Sequence, residues 1–339
     1  LSFIVVVINL IFYRSYLNNN FFHNNIIKII LFPILLILFG VIRLNTLKPT
    51  NQKIEIAVIQ PNIDPNKKWD YLGRKETITF MDSLYDKAIS YKSDIIIFPE
   101  TALPVYLRTS NKIRNNIQLK VNKSKTPVLI GTVDRSFDSL GNRVYFNSSM
   151  YLSPNKQFRM YNKMHLVPFA EYDLIPSFLS PLAKLNLNIN RGIFKKGEKY
   201  RLFDLKGLRF ANLICYESSF PRYARKFVKK GAEFLIINTN DGWLGKSAGP
   251  HQHFSQAILR SIENRIPIIR CGNTGISGII LPTGEIKKHI GIGEEMVFKE
   301  TIPLYNTGTF YTRYGDVFAV ICFLIFLYIG PVNCLKKQY

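Results

Sequence analysis

The sequence is 339 residues long, with 45 Lys and Arg against 23 Asp and Glu and a formal net charge of +22. That length exceeds one ordinary domain and suits a single large α/β unit with membrane segments. The excess charge is scattered among abundant Ile, Asn and Lys rather than gathered into a basic cluster with interleaved aromatics, so no nucleic-acid partner is expected. The four cysteines, at 215, 271, 322 and 334, make no CxxC pair and no metal spacing, which argues against a disulfide framework and leaves a thiol free for chemistry.

Residues 1–13 are apolar but too short to span a bilayer, and no basic n-region of a signal peptide precedes them. The chain does not start with Met, and this stretch reads as the rest of a transmembrane helix cut by the sequence boundary, in a fragment or a split gene. Residues 26–43, IIKIILFPILLILFGVIR, come close to the roughly 20 residues of a spanning helix. Lys28 and Arg43 mark its ends, and Pro33 is a kink that membranes tolerate. Residues 1–44 are therefore expected to be transmembrane segments, followed by a polar linker from Asn45 to Lys53.

Beyond the linker, Ile- and Val-rich runs alternate with polar helical stretches. Strands are predicted at Ile54–Gln60, Asp94–Pro99, Thr126–Gly131 and Phe146–Leu152, with helices at Ile78–Tyr91 and Ser110–Lys123. The theme returns with strands at Leu208–Ile214, Phe234–Asn238, Ile266–Gly272 and Gly278–Leu281 and a helix at His251–Arg265. This recurrence predicts an α/β fold with two sheets flanked by helices, spanning residues 54–305. Residues 172–189, rich in Leu, Phe and Pro with no clean period, read as a lid or membrane-dipping arm over a lipid chain. Residues 317–335 read as a closing transmembrane helix, with Lys336 and Lys337 as a cytoplasmic tail. The domain would then face outward, although Arg43 and Lys48 run against that trend.

Three stretches carry chemistry. An apolar run from Phe210 to Ile214 closes on Cys215, Tyr216 and Glu217 in a turn-forming Ser-Ser-Phe-Pro context. A cysteine at the end of a strand is held rigidly and left open, and backbone N–H groups in the turn can face a developing charge. Asp94-Ile-Ile-Ile-Phe-Pro-Glu100 is a second apolar run, closing on one carboxylate. The third stretch, from Arg159 to Tyr172, sets Lys163 among apolar and aromatic residues. A Lys ammonium near the thiol would lower its pKa and stabilise the thiolate and a later oxyanion, and a Glu can shuttle the proton.

Glu100, Lys163 and Cys215 in this order resemble the Glu-Lys-Cys triad of the nitrilase, or carbon–nitrogen hydrolase, superfamily. The closer resemblance is to the bacterial apolipoprotein N-acyltransferase family. It is carried by Ile59-Gln-Pro-Asn with Lys68-Trp69, Phe98-Pro-Glu-Thr-Ala-Leu-Pro104, Tyr161-Asn-Lys-Met-His-Leu-Val-Pro-Phe-Ala-Glu171 and Cys215-Tyr-Glu217. It continues through Asn240-Asp-Gly-Trp-Leu-Gly245, Gly249-Pro-His-Gln-His-Phe254 and Arg270-Cys-Gly-Asn-Thr-Gly-Ile-Ser277. The likeness runs from about residue 54 to the C-terminus, departing at Ala170, where the family usually has glycine, and at the N-terminus, where the family has more helices.

The resemblance implies a four-layer α-β-β-α sandwich flanked by transmembrane helices. It implies Cys215 as nucleophile, Glu100 as proton shuttle, and Lys163 with a backbone N–H near Tyr216 as oxyanion donors. Glu171 and Glu217 would orient Lys163 and shape the pocket, and Trp69 and Trp243 would lie near lipid or lid. The implied reaction moves an acyl chain from a phospholipid to the N-terminal amine of a diacylated apolipoprotein, with no metal and no cofactor. The implied setting is a monomer in the bacterial inner membrane, with its catalytic domain on the outer side. A membrane-anchored amidase with the same triad, and an anchored binding domain without catalysis, remain as alternatives.

Overall fold

The computed structural model describes residues 2–17, 21–172, 194–245, 247–306 and 308–336. The stretch read as a lid arm, residues 172–189, lies outside the described residues except for Tyr172. The chain divides into two units, Leu1–Lys48 and Pro49–Tyr339.

The first unit holds two helices, α1 (Ser2–Leu17) and α2 (Phe21–Thr46), the latter with Pro33 inside it. From Ile34 to Leu44 the apolar side chains of α2 are exposed almost without interruption. Among the described residues, no helix is long and apolar enough to cross a membrane.

The second unit is built on two six-stranded sheets. The first contains β1 (Pro49–Gln60), β2 (Ile95–Ile97), β3 (Val128–Phe137), β4 (Arg143–Leu152), β5 (Arg159–Asn162) and, from the far end of the chain, β12 (Met296–Tyr305). Its order is β12-β1-β2-β3-β4-β5, with β1, β2 and β3 parallel and the outer pairs antiparallel. The second contains β6 (Phe203–Leu205), β7 (Leu208–Ile214), β8 (Phe234–Thr239), β9 (Ile268–Gly272), β10 (Ser277–Ile280) and β11 (Ile286–Ile290). Its order is β11-β10-β9-β8-β7-β6, with β7, β8 and β9 parallel.

Strand alternation explains the layering. On β1, Ile54, Ile56 and Val58 point one way, into a core shared with Phe210, Leu213, Ile236 and Ile268 of the second sheet. Ala57 and Ile59 point the other way, into a separate core with Met81, Leu84 and Tyr85 of α3 (Tyr71–Ser90) and Ile117 and Val121 of α4 (Asn111–Ser124). Both faces are covered, so these strands read as near-continuous apolar runs. On the second sheet the outer layer is α5 (Pro221–Lys229) and α6 (Gly249–Asn264), which bury Tyr223, Ala224, Phe227, Phe254 and Ala257. The layers are thus α-β-β-α. Polar stitches cross between the sheets: Ser149 Oγ donates to Asn212, Asn238 to the Phe98 carbonyl, and Cys271 Sγ to the Ile59 carbonyl at 3.2 Å. The chain closes with α7 (Phe310–Tyr314) and α8 (Val317–Lys336), and the apolar side chains of α8 are exposed from Val320 to Tyr328.

The expected strand at Leu208–Ile214 and the helix near His251–Arg265 are found within two residues of their predicted ends. Four strands and two helices, α5 and α7, were not expected. The unexpected strands β5, β6, β11 and β12 lie near or at sheet edges, where half-exposed positions break the apolar run; β12 carries Lys299, Glu300 and Pro303. The unexpected α5 is short and basic, and Pro221 at its first turn suits a helix start. α3 begins at Tyr71 rather than Ile78; residues 71–76 are almost all exposed and so show no buried face in the sequence.

Candidate active site

Each expected residue follows the end of a strand. Glu100 lies three residues beyond β2, Lys163 directly follows β5 and Cys215 directly follows β7. In parallel sheets the carboxyl ends of strands are where loops diverge and groups converge. Close approach beneath Glu100 requires glycine at 131, where a Cβ would overlap the Pro99 carbonyl oxygen and the Glu100 Cα.

Cys215 adopts φ 49°, a left-handed conformation that costs a non-glycine residue on the order of 1–3 kcal/mol unless its surroundings hold it. They do hold it. The Cys215 carbonyl accepts from Ser218 Oγ at 2.7 Å and lies 3.1 Å from His253 Nε2. On the preceding residue, the Ile214 N–H donates to Glu217 at 3.0 Å.

Lys163 extends the β5 ladder by one residue, since its N–H donates to the Asn147 carbonyl at 2.8 Å. Cross-strand partners share a face, which places the Asn147 side chain beside Lys163. Lys163 Nζ stands 2.8 Å from Glu171 and 3.7 Å from Glu100. Asn147 Nδ2 donates to Glu100 at 2.7 Å and to Glu171 at 2.8 Å. The Val167 N–H completes the hold on Glu171 at 2.8 Å. The Cys215 thiol feels both Glu100 and Lys163, which act on it in opposite directions.

Burial governs the electrostatics. It raises the Glu100 carboxyl above the usual carboxylate range, against the pull of Lys163. It also opposes the charge on Lys163, but Glu100, Cys215 and Glu171 together outweigh it and hold the ammonium above an ordinary lysine. The Cys215 thiol is pushed up to about 12, by burial first and Glu100 second. This corrects the expectation of a thiol lowered by Lys163. Lys163 pulls in the expected direction, but desolvation of the sulfur is the larger effect. The resting group is a thiol, and a base must take its proton.

The remaining expected residues are spread around this centre. Glu217, fully buried, accepts from Tyr161 Oη at 2.7 Å, Met164 N at 2.8 Å and Ile214 N, tying the Lys163 strand to the Cys215 turn. Its contacts are thus with the neighbours of Lys163. The Tyr216 ring packs on His165 and Phe220, with centroids 5.7 and 5.1 Å away. Trp69 and Trp243 are exposed. The neighbour of Trp69, Lys68, is buried, donates to the Thr101 carbonyl and hydroxyl at 2.8 and 3.0 Å, and is lowered to about 8 by burial.

A second cluster, unexpected from the sequence, lies behind Cys215. Asp241, two residues beyond β8, meets His253 Nδ1 at 2.8 Å, Thr239 Oγ1 at 2.8 Å and the fully buried Arg270 at 2.5 Å. Although burial opposes it, Arg270 holds the Asp241 carboxyl well below the usual range. Ligand atoms of Cys215, Asp241 and His253 lie within 4.8 Å of one another. The Arg270 guanidinium already neutralises Asp241, which makes this donor set a poor fit for a metal cation. Asp241, His253 and Arg270 stood in phrases that carried the family resemblance. Asn147 gave only the weak signal of a polar run, Asn147-Ser-Ser149, inside an apolar strand.

The carbon-nitrogen hydrolase family model matches residues 55–311. A protein named apolipoprotein N-acyltransferase from Geobacter metallireducens is 36% identical over 271 residues, 79% of this chain and 51% of the relative. One of the same name from Chlorobaculum tepidum is 34% identical over 321 residues, 88% of this chain and 60% of the relative. The chain therefore spans about half to three-fifths of the length of these curated relatives. Among solved structures, an amidase from Nesterenkonia matches with a TM-score of 0.55 at 15% identity, over 74% of this chain and 90% of the amidase. A carbon–nitrogen hydrolase from Helicobacter pylori matches with a TM-score of 0.56 at 17% identity, over 74% and 89%. At those identities the likeness speaks for the nitrilase-like fold alone.

Proposed function

The chain belongs to the carbon–nitrogen hydrolase family, and from that premise we propose that it transfers an acyl chain from a phospholipid to the N-terminal amine of a diacylated apolipoprotein, through a thioester on Cys215. The observation that carries this reading is the buried cluster in which the Lys163 ammonium stands 3.7 Å from Glu100 and 2.8 Å from Glu171, with both Glu100 and Lys163 acting on the Cys215 thiol. The curated relatives supply the acyl-transfer chemistry as the variant of the family's reaction.

Glu100 takes the thiol proton as sulfur adds to the ester carbonyl. Lys163 Nζ and the Tyr216 N–H balance the oxyanion. Its collapse expels the lysophospholipid alkoxide, which takes the proton back from Glu100. The acceptor amine, with an unperturbed pKa of about 7.7–8.0, then attacks the thioester, and Glu100 accepts its proton. The amide forms, and the departing thiolate recovers a proton from Glu100. Asn147 and Glu171 keep Lys163 charged and aimed. Trp69 and Trp243, both exposed, would meet lipid. The exposed apolar runs of α2 and α8 would lie in the bilayer of the bacterial inner membrane, as a helix apolar all round needs an apolar surrounding. The catalytic unit, residues 54–305, would work as a monomer on the outer side.

The test is intact mass after exposure to phospholipid vesicles, then to a diacylated lipopeptide. The reading expects one acyl mass on Cys215 and its transfer to the peptide amine. Acyl loading followed only by release of free acid would favour a hydrolase, and no mass gain would favour a binding domain.

A further inference from the structure

The Cys215 carbonyl is where the second cluster meets the first. Ser218 Oγ donates to it at 2.7 Å, and His253 Nε2 lies 3.1 Å away. A carbonyl oxygen only accepts, so this contact is a hydrogen bond in the form of His253 that carries a proton on Nε2. The imidazole is fixed from behind by Asp241 at 2.8 Å and by Arg270 Nη2 at 3.1 Å. Ser218 and His253 are buried and also lie 3.0 Å from each other.

That carbonyl is one end of a planar peptide whose other end is the Tyr216 N–H. Fixing the carbonyl fixes the direction of the N–H. Hydrogen bonds accepted by the carbonyl also polarise the amide and strengthen its N–H as a donor. The left-handed φ of 49° at Cys215 makes this control necessary, because that conformation does not hold itself.

We propose that Ser218 and His253 are positioning residues for the oxyanion site: through the Cys215 carbonyl they aim and polarise the Tyr216 N–H. This inference rests on the thioester chemistry proposed above. It concerns two buried residues that act through the Cys215 backbone. It assigns the Asp241–Arg270 pair the task of holding the imidazole in place.

The experiment compares two reactions of Cys215 in the full chain. Alkylation by iodoacetamide forms a C–S bond and releases iodide without an oxyanion. Acylation by p-nitrophenyl butyrate forms a tetrahedral oxyanion before p-nitrophenolate leaves. Cys215→Ala supplies the background from the other cysteines. Because weakening an oxyanion donor slows only the second reaction, Ser218→Ala and His253→Leu should slow the acylation burst about tenfold or more. Alkylation should stay within about twofold, since its transition state carries no oxyanion. His253→Gln, which can place an N–H near the same carbonyl, should recover most of the lost rate, and Ser218→Thr likewise. Equal losses in both reactions, or no loss of acylation in either variant, would overturn the inference while leaving the thioester reading intact. A wild-type chain that gives no burst, while Cys215 is alkylated normally, would overturn the thioester reading and this inference with it.

Discussion

Asn147 donates its side-chain N–H to the Glu100 carboxylate at 2.7 Å. The same nitrogen reaches Glu171 at 2.8 Å, so a neutral amide serves two carboxylates that share one ammonium. This bond favours the charged form of Glu100 and so lowers its pKa, against burial, which raises it. Asn147→Ala should therefore raise the pKa of the base. The acyl-loading rate should fall more at about pH 6 than at about pH 9, shifting the ascending limb of the profile upward. Burst kinetics across that range check it; an unmoved limb would mean that Asn147 is only structural.

Under the proposed mechanism Lys163 and Glu100 both serve loading, yet they should separate in stability. Lys163 is buried between two carboxylates. Lys163→Ala leaves those charges uncompensated, which typically costs about 3–5 kcal/mol near neutral pH. Without the ammonium, the Glu100 carboxyl is raised further in the folded state. The lost stability should then return in part as the pH falls and Glu100 protonates. Glu100→Gln removes a charge that burial already opposes and should leave the thermal midpoint nearly unchanged. Loading should fall on the order of 100-fold or more in each, as expected on losing a proton shuttle or an oxyanion donor. Thermal unfolding as a function of pH, run beside loading, tests the split.

What was legible in the sequence was whatever ends an apolar run. Glu100 and Cys215 follow buried strands that stop abruptly, and Lys163 stands out as a charge in aromatic surroundings. The two-sheet plan was legible for the same reason, since strands covered on both faces are continuously apolar. Residues whose role depends on cross-strand register were not legible. Asn147 meets Lys163 only because β5 pairs with β4, and β5 was too short and too exposed at its edge to show itself. Asp241, His253 and Arg270 come from three separate elements and meet only once the second sheet is assembled. The thiol pKa was misjudged because a sequence shows the neighbouring charge and not the depth of burial.

Glu217 should impose a pH dependence on stability. Burial raises its carboxyl from 4.5 to about 7, despite hydrogen bonds from Ile214, Tyr161 and Met164. A carboxyl raised in the folded state binds its proton more tightly there. Its contribution is full below the unfolded value of 4.5 and is lost as pH rises through about 7. That interval is worth up to about 3 kcal/mol. The thermal midpoint should fall across this window, and Glu217→Gln should flatten that part of the slope. An identical slope in the variant would assign the dependence to other groups.

A thiol that begins protonated, with Glu100 as its proposed base, implies two half-reactions that use the same proton shuttle in turn. With phospholipid and no acceptor, acyl-Cys215 should accumulate, because the amine that discharges it is absent. Neutral hydroxylamine, which cleaves thioesters, should release the label. A diacylated lipopeptide with a free α-amine should release it too, whereas an N-acetylated one should not, since an amide nitrogen is a poor nucleophile. Discharge should quicken between about pH 6 and about pH 8, as more of the amine becomes neutral around its unperturbed pKa. Loading should follow the titration of Glu100 instead, so Asn147→Ala should move the loading profile and leave the amine-dependent rise of discharge in place. The measurement loads the chain with labelled phospholipid, removes the donor, adds acceptor and follows label on enzyme and peptide. Label that reaches the peptide only while phospholipid is present would mean direct transfer in a ternary complex and a different role for Cys215.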